Sequence, residues 1–483
     1  MADELTLDPA DWEQVKRTFH AAVDLCISQM QGVRERPVWQ PTPDDVKRRF
    51  KAAAPQTGED LDVLLSEFQS HILPYGNGNT HPRFWGWVHG GGSVAGALGE
   101  MLAGFMNSNV GGRDHIATYV ERQVLDWCKE IFKFPATSSG ILTSGTSMGT
   151  MIALNVARNV KADRDVQMLG MSSGPRMTGY ASAEAHGCNS KAFDLLGLGR
   201  ESLRMIPVDE RFRLKPDALR EKISADRAAR CLPFVVIASA GTVNTGAIDD
   251  LTAIYDICRA ENLWLHIDGA FGGLARLTES FGAELEPIAL ADSIAFDFHK
   301  WLHVPYDAGC VLIKNEEAHR TAFSARREYL VSTGVGLAGG DPWFCDYGPE
   351  LSRGFRALKV WFTFKTYGVE RLAQLIEQNC SQAQMLAELV NDAPELELCA
   401  PVHLNIVCFR FKLDAPEHVI AALNKKIVST LQLEGVAAPS TTTVHGKTVI
   451  RVCITNHRTR AEDLIVLATE IRRLGRLFSN DAQ

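Results

Sequence analysis

A lysine and a histidine stand inside an apolar, aromatic stretch, "AFDFHKWLHVPYDAGC", at residues 295–310. Because a charge removed from water is costly, a lysine in such a place is normally neutralised, paired with an acid or used in a covalent bond. Lys300, with His299 beside it, is therefore a candidate for chemistry. The alternative is that its methylene stem packs against apolar surface while the ammonium extends into solvent.

A second candidate is the run "GILTSGTSMGTMIALNVAR" at 140–158, which predicts a strand, a turn of small residues and a helix. The turn contains Gly145, Thr146 and Ser147. Backbone N–H groups at a helix start bind anions, and the helix dipole adds to the attraction. Such residues are also ordinary helix caps, so this run by itself indicates only a capped helix and gains weight from the other motifs.

The third candidate is Asp268, which ends a predicted buried strand in "LWLHIDGAFGG". Ligands bind at the carboxyl ends of parallel strands, although an aspartate there can also cap the next helix. Lys300 follows at the end of what the pattern predicts as a neighbouring strand. A phosphate socket, a carboxylate for a ring nitrogen and an amine for an aldehyde are together what pyridoxal 5'-phosphate requires.

Four motifs occur in a specific order along the chain: "SAEAHGC", "ASAGTVNTGAIDDL", "HIDGAFGG" and "DFHKWL". They resemble those of the group II pyridoxal-phosphate-dependent amino acid decarboxylases, which include aromatic-L-amino-acid, glutamate and cysteine sulfinate decarboxylases. The resemblance runs from about residue 12 to the C-terminal helix. It implies an α/β fold of type I, like aspartate aminotransferase, and a homodimer with active sites at the subunit interface. It also implies α-decarboxylation of an L-amino acid to an amine and CO₂.

The resemblance assigns roles to individual residues. Lys300 would bind the cofactor covalently, Asp268 would pair with the pyridinium, and His186 would stack on the ring, although His186 could equally be a hydrogen-bonded core histidine. Tyr329, in a glycine-rich loop, would protonate the substrate carbon, which favours an amine product over an aldehyde. Asp297 stands where relatives often have asparagine near the phosphate. The other predicted cofactor contacts are Gly145, Thr146, Ser147, Thr242, Ala270 and His299, and no metal is expected.

The predicted substrate residues are His89, Gly90, Asn109 and Arg451. An arginine suits bidentate binding of a carboxylate, but Arg451 could equally form a buried structural pair. "WVHGGGSVAG" has glycines where aromatic-substrate enzymes carry bulky walls, and "HPRF" is closer to the glutamate and cysteine sulfinate branch. We predict an aromatic substrate, with an acidic one (glutamate, aspartate or cysteine sulfinate) as the alternative. An oxygen-consuming aldehyde synthase or an aminotransferase on the same fold is a further alternative.

These side chains need a sheet to position them. The β-rich runs "PFVVIASA", "LWLHID" and "SIAFDF" alternate with helical patterns such as 147–162 and 250–261, which predicts a mostly parallel sheet covered by helices. We predict an N-terminal helical dimerisation segment at 1–84, a large cofactor-binding domain at 85–378 and a small α+β domain at 379–483. The last contains "LNIVCFRFKL" and "TVIRVCITN" as strands, with helices near 416–434 and 460–478.

The composition restricts the class of partner. The chain has 483 residues, of which 46% are hydrophobic and 22% charged, enough for a large globular core. A net charge of −8 without a Lys/Arg run argues against nucleic acid and anionic membranes, and favours a small-molecule amino acid substrate. The eleven cysteines include no Cys-x-x-Cys pair, which is typical of a reducing compartment. The start lacks signal-peptide features and no apolar run approaches the roughly 18 residues of a membrane span, so we expect a cytoplasmic protein.

Overall fold

The computed structural model describes residues 4–172, 174–324 and 334–480. The first helices are α1 (Trp12–Gln31), α2 (Asp44–Arg49), α3 (Leu61–Glu67), α4 (Val94–Met106), α5 (Ile116–Phe132), α6 (Thr146–Lys161), α7 (Val166–Leu169) and α8 (Cys188–Leu195). The later ones are α9 (Pro216–Ala228), α10 (Leu251–Ala260), α11 (Glu279–Gly282), α12 (Phe298–Trp301), α13 (Glu316–Phe323), α14 (Arg356–Asn391), α15 (Glu417–Leu433) and α16 (Ala461–Asn480).

The strands fall into two groups along the chain. The first group is β1 (Ser139–Thr143), β2 (Met177–Ser182), β3 (Leu203–Ile206), β4 (Leu232–Ser239), β5 (Trp264–Asp268), β6 (Ser293–Asp297) and β7 (Gly309–Ile313). The second group is β8 (Leu396–Leu398), β9 (Ile406–Phe411), β10 (Ser440–Val444) and β11 (Lys447–Cys453).

The first group forms one sheet in the order β1-β7-β6-β5-β4-β2-β3. Strands β3, β2, β4, β5 and β6 pair in parallel, whereas β7 is antiparallel to both of its neighbours, β1 and β6. Every residue of β5 and β6 is buried, as expected for a sheet covered on both faces. The fold class predicted from the sequence, a mostly parallel sheet with helices and a small second sheet, is confirmed.

Strand β7 begins at a glycine that lies between two strand ends. Gly309 pairs with Thr143 of β1 on one side and with Asp297 of β6 on the other. A Cβ at position 309 would lie 2.6 Å from the Gly145 Cα and 2.7 Å from the Asp297 Oδ1. The missing side chain therefore lets the end of β6 approach the turn that follows β1.

A buried ion pair fixes β1 against the elements around it. Arg353 Nη2 lies 2.6 Å from Glu121 Oε1, and both side chains are completely buried. Glu121, on α5, also accepts a hydrogen bond from the Leu142 N–H at 3.1 Å, while Arg353 donates to the Leu142 carbonyl at 2.6 Å. The pair thus holds both backbone groups of a β1 residue just before the turn that leads into α6.

The C-terminal part is a second layer. Strands β10, β11, β9 and β8 form an antiparallel sheet in that order, and Ile427 of α15 and Leu467 of α16 belong to the apolar core beneath it. The long helix α14 leads into this part and is interrupted at Gly368, which has φ 70° and ψ 157°. The predicted domain limit at 378 falls within α14, and the predicted limits stay predictions. In the described part of the chain, no helix is both long and apolar enough to cross a membrane.

Candidate active site

A cavity of about 450 Å³ opens at the carboxyl ends of β1, β4, β5 and β6. Parallel strands place ligand sites at this edge of a sheet. The lining includes every residue that the sequence predicted as a cofactor contact: Gly145, Thr146, Ser147, His186, Thr242, Asp268, Ala270, His299 and Lys300. Segments separated by more than 150 residues in the sequence therefore meet at one place.

Lys300 is not the end of a strand, and that detail of the prediction is wrong. Strand β6 ends at Asp297, and Lys300 lies in the single turn of α12. This turn brings Lys300 Nζ to 2.8 Å from Asp297 Oδ2, with the lysine side chain 21% exposed. Burial disfavours the charged ammonium, but Asp297 and, after it, Asp268 more than offset this and raise the pKa of Lys300. The amine is a paired ammonium, not one that extends freely into solvent.

The start of α6 faces the same aspartate. Asp297 Oδ1 accepts a hydrogen bond from the Thr146 N–H at 2.6 Å. The hydroxyl Oγ1 of Thr146 is buried, and the described residues offer it no hydrogen-bond partner. Buried hydroxyls are normally satisfied, so this one is available to hydrogen-bond a ligand.

His299 completes this end of the cavity. Its Nδ1 accepts a hydrogen bond from the Ala308 N–H at 3.1 Å, and burial lowers the pKa of the imidazole. A neutral ring whose Nδ1 is an acceptor carries its proton on Nε2. That Nε2 lies 3.6 Å from Asp297 Oδ2, so it can donate to an anion at the start of α6.

Asp268 is the last residue of β5 and is held by two donors. Its Oδ2 accepts from the Asn189 amide at 3.4 Å, and its Oδ1 accepts from the Ala270 N–H at 3.3 Å. His186 is oriented by the backbone N–H of Cys188, which donates to His186 Nδ1 at 3.2 Å. Burial, followed by the charge of Asp268, raises the pKa of the Cys188 thiol to about 12, so this cavity residue is a neutral thiol.

Thr242 lies in the turn after β4 and uses its hydroxyl locally. The Thr242 Oγ1 accepts from the Ala247 N–H at 3.1 Å and lies 3.1 Å from Thr245 Oγ1. It contributes to the wall of the cavity through a fixed turn. Ser147, in contrast, is exposed at the first turn of α6, where its side chain can reach a ligand.

The residues predicted to contact the substrate do not line this cavity in the described structure. Arg451 donates to the backbone carbonyls of Trp87, Val243 and Asn244. Asn109 accepts from the N–H groups of Gly111 and Arg353. Both side chains therefore position loops.

His89 and Gly90 lie just behind the lysine. Burial, with a smaller effect of Lys300, lowers the pKa of His89, whose Nδ1 is buried and has no partner among the described residues. A Cβ at position 90 would lie 2.2 Å from the His299 carbonyl and 2.3 Å from the Lys300 carbonyl. Gly90 therefore supports the turn that carries Lys300.

The sequence analysis missed the apolar and aromatic part of the lining, which includes Trp87, Val88, Met148, Val243, Phe271 and Tyr306. The ring of Tyr306 lies 4.3 Å from that of His299, centroid to centroid. A signal for it was present, because Tyr306 belongs to the same aromatic stretch as Lys300. The predicted proton donor, Tyr329, lies outside the described residues.

The cavity residues fit pyridoxal 5'-phosphate. The unpartnered Thr146 hydroxyl and the neutral His299 suit a phosphate, and the fixed Asp268 carboxylate suits a protonated ring nitrogen. The amine of Lys300, at the wall of the cavity, suits the aldehyde. These four residues present the three chemical functions that the sequence analysis required.

Comparison with known proteins gives matches of three kinds: a family model, curated relatives and a solved structure. The pyridoxal-dependent decarboxylase conserved domain matches residues 43–412. The aromatic-L-amino-acid decarboxylase of Bacillus atrophaeus is 34% identical over 96% of this chain and 95% of its own. The phenylacetaldehyde synthase of Petunia hybrida is 30% identical over 93% of this chain and 91% of its own. The crystal structure of Oryza sativa TDC with PLP and tryptamine superimposes with a TM-score of 0.90 and 25% identity, covering 98% of this chain and 100% of that one.

Proposed function

This chain belongs to the pyridoxal-dependent decarboxylase family, and we propose that it releases CO₂ from an aromatic L-amino acid and leaves the corresponding amine. It is a pyridoxal-phosphate-dependent carboxy-lyase. The observation that carries the choice of substrate is the apolar and aromatic lining of the cavity beside Lys300. The reaction consumes one proton, which is added at Cα in place of the carboxylate.

The bound cofactor supplies an electron sink for the bond that joins Cα to the carboxylate. The protein must keep that sink protonated at the ring nitrogen. Asp268 does so through its negative charge, because a carboxylate near a basic nitrogen shifts its pKa by about 1–3 units toward the charged form. Asn189 and the backbone of Ala270 hold this carboxylate in place.

Lys300 must lose a proton before its amine can attach the cofactor. Asp297 Oδ2, 2.8 Å from Lys300 Nζ, is the nearest acceptor, and together with Asp268 it stabilises the ammonium until the proton leaves. The short turn of α12 keeps the amine at the cavity wall and thereby limits the positions that the substrate can take.

The substrate side chain meets apolar groups. Trp87 and Tyr306 provide aromatic surfaces, and Val88, Val243 and Phe271 provide aliphatic and aromatic contacts. An aromatic side chain gains free energy from such contacts, whereas an acidic one needs a cation. No arginine is among the described residues that line the cavity, and Arg451 uses its donors on backbone carbonyls.

The test is a substrate panel with the cofactor-loaded protein. We expect CO₂ and amine from L-tryptophan, L-tyrosine or L-phenylalanine, and little from L-glutamate, L-aspartate or cysteine sulfinate. Trp87→Ala should raise KM for the aromatic substrate, since it removes an aromatic wall. Phe50→Ala, an exposed aromatic residue at the end of α2, is the matched control. Faster turnover of the acidic substrates would contradict the proposal.

An aldehyde-forming activity is the second candidate, because phenylacetaldehyde synthases are among the relatives. Tyr329 supports the amine product, since the family resemblance assigns it the protonation of the substrate carbon. Oxygen uptake and aldehyde should be absent in the wild type and should appear in Tyr329→Phe. Oxygen uptake by the wild type that is equimolar with CO₂ would favour the second candidate. An oxo acid product would instead indicate an aminotransferase.

We also propose that the protein is a homodimer through α1 and α4. Phe19 of α1 and Phe105 of α4 lie 5.4 Å apart, centroid to centroid, within a patch of exposed apolar side chains. An exposed patch of this kind is typical of an interface. Other members of the patch are Trp12, Val23, Ile27, Leu98 and Met101. Sedimentation should show a dimer for the wild type and monomer for Phe105→Glu, with Leu433→Glu as an exposed control on α15.

A further inference from the structure

Asp297 lies in the place where the structure gathers its donors for a phosphate. The residue is 3% exposed, and its Oδ1 accepts the Thr146 N–H at the first residue of α6. Its Oδ2 lies 2.8 Å from Lys300 Nζ and 3.6 Å from His299 Nε2. The carboxylate therefore lies against a backbone N–H, an amine and an imidazole nitrogen, all of which could bind an external anion.

The surroundings leave this carboxylate little freedom to move. Gly309 brings its backbone close enough that an added Cβ would lie 2.7 Å from Asp297 Oδ1, and an added Cβ on Gly145 would lie 3.5 Å from the same oxygen. The other ionisable groups that face it are Cys188 and Tyr306, whose pKa values are both raised, with Asp297 as a lesser cause than burial. Neither group supplies a positive charge.

The charge balance changes when the cofactor binds. With no cofactor, Lys300 is an ammonium paired with Asp297. The covalent attachment uses this amine, while the phosphate adds negative charge at the start of α6, beside the same carboxylate. Like charges in a buried site repel each other, so each disfavours the charged form of the other.

We propose that Asp297 is a built-in competitor of the cofactor phosphate, which weakens cofactor binding and makes the cofactor exchangeable. The proposal rests on the start of α6 as the phosphate position. Asp297→Asn keeps the size of the side chain and an oxygen acceptor for the Thr146 N–H, but it removes the charge. The variant should therefore bind the phosphorylated cofactor more tightly than the wild type does.

The experiment compares two ligands that differ only in the phosphate. Apo-protein is titrated with pyridoxal 5'-phosphate and with pyridoxal at one pH, and the absorbance of the bound chromophore gives each dissociation constant. We expect Asp297→Asn to tighten pyridoxal phosphate binding at least about tenfold more than pyridoxal binding. Asp307→Asn is the control, since this half-exposed carboxylate pairs with Arg356 at 3.2 Å and does not line the cavity. It should change the two constants equally.

The outcomes distinguish between different roles of Asp297. An equal gain for both ligands would mean that Asp297 acts only through the Lys300 amine, and weaker binding of pyridoxal phosphate would mean that it holds the phosphate; either overturns the proposal. Asp297→Ser provides the same comparison if the asparagine variant does not fold. An Asp297→Asn variant that binds both ligands equally would refute the phosphate position itself, whereas decarboxylation by the wild type would leave the proposed function intact.

Discussion

Removing the buried acid Glu121 should affect both the stability of the protein and its cofactor site. In Glu121→Ala, Arg353 keeps its charge at a completely buried position and loses its partner at 2.6 Å. Breaking such a pair from one side costs about 3–5 kcal/mol. The Leu142 N–H loses its acceptor as well, so β1 is held less firmly just before the turn into α6, by the Arg353 bond to the Leu142 carbonyl and by its pairing with β7.

Urea unfolding measured by tryptophan fluorescence, at fixed protein and cofactor concentrations, gives the change in the free energy of unfolding. Glu121→Gln should lose less stability than Glu121→Ala, because its amide oxygen can still accept the hydrogen bond from the Leu142 N–H. The matched control is Glu286→Ala, which breaks the pair with Lys133. Both side chains of this pair are exposed, and solvent screens the pair, so its loss should change the free energy of unfolding far less.

The same variants should also differ in their affinity for the cofactor. Because the turn after β1 carries the Thr146 hydroxyl and N–H, Glu121→Ala should also raise the dissociation constant for pyridoxal phosphate, whereas Glu286→Ala should leave it unchanged. If Glu121→Ala destabilises the protein no more than Glu286→Ala does, then the buried pair does not hold β1 and the reasoning is wrong.

The remaining predictions concern the lysine, the glycine behind it and two buried histidines. Lys300→Ala should abolish amine formation, and borohydride should attach the cofactor to this residue in the wild type; a reduced adduct elsewhere would contradict the assignment. In Gly90→Ala, the new Cβ would lie 2.3 Å from the Lys300 carbonyl, so Lys300 must shift and kcat should fall about 100-fold. Gly354→Ala, with no atom within 4 Å of the added Cβ, is its control, and equal rates would refute the packing argument. Burial lowers the pKa of His266 and of His319 from 6.5 to about 3 in the folded protein. As the pH falls below 6.5, the unfolded chain therefore takes up protons on these side chains before the folded protein does. Each histidine should therefore reduce the free energy of unfolding by about 2 kcal/mol at pH 5, measured by urea unfolding, with His319→Gln less sensitive to acid; greater stability at pH 5 would contradict this.

Local patterns predicted the strands that carry the chemistry. The apolar run before Asp268 is a buried strand, and the run before Asp297 is the strand beside it, as the β-rich composition indicated. The small residues at 145–147 lead into a helix as predicted. In each case, neighbours in the sequence determine the local structure, so one segment contains enough information.

Contacts between distant segments could not be predicted in the same way. The hydrogen bond from the Thr146 N–H to Asp297 joins residues 151 positions apart and depends on the pairing of β7 with both β1 and β6. Arg451 was a candidate for the substrate because of its residue type, but three backbone carbonyls occupy its guanidinium. Only the folded chain shows which donors are already used. The roles assigned to the cofactor and substrate residues stay predictions.

Strand β7 reverses direction between two strands that run the opposite way, so its first residue meets their last ones. The lack of space around position 309 therefore limits which residues related chains can carry there. Any replacement of this glycine would push the turn at Gly145 away from Asp297 at the end of β6, whatever amino acid the enzyme consumes. Lineages that acquire new substrates should keep glycine there and vary instead at wall positions such as Trp87 and Val243, where a change of shape leaves the catalytic geometry undisturbed.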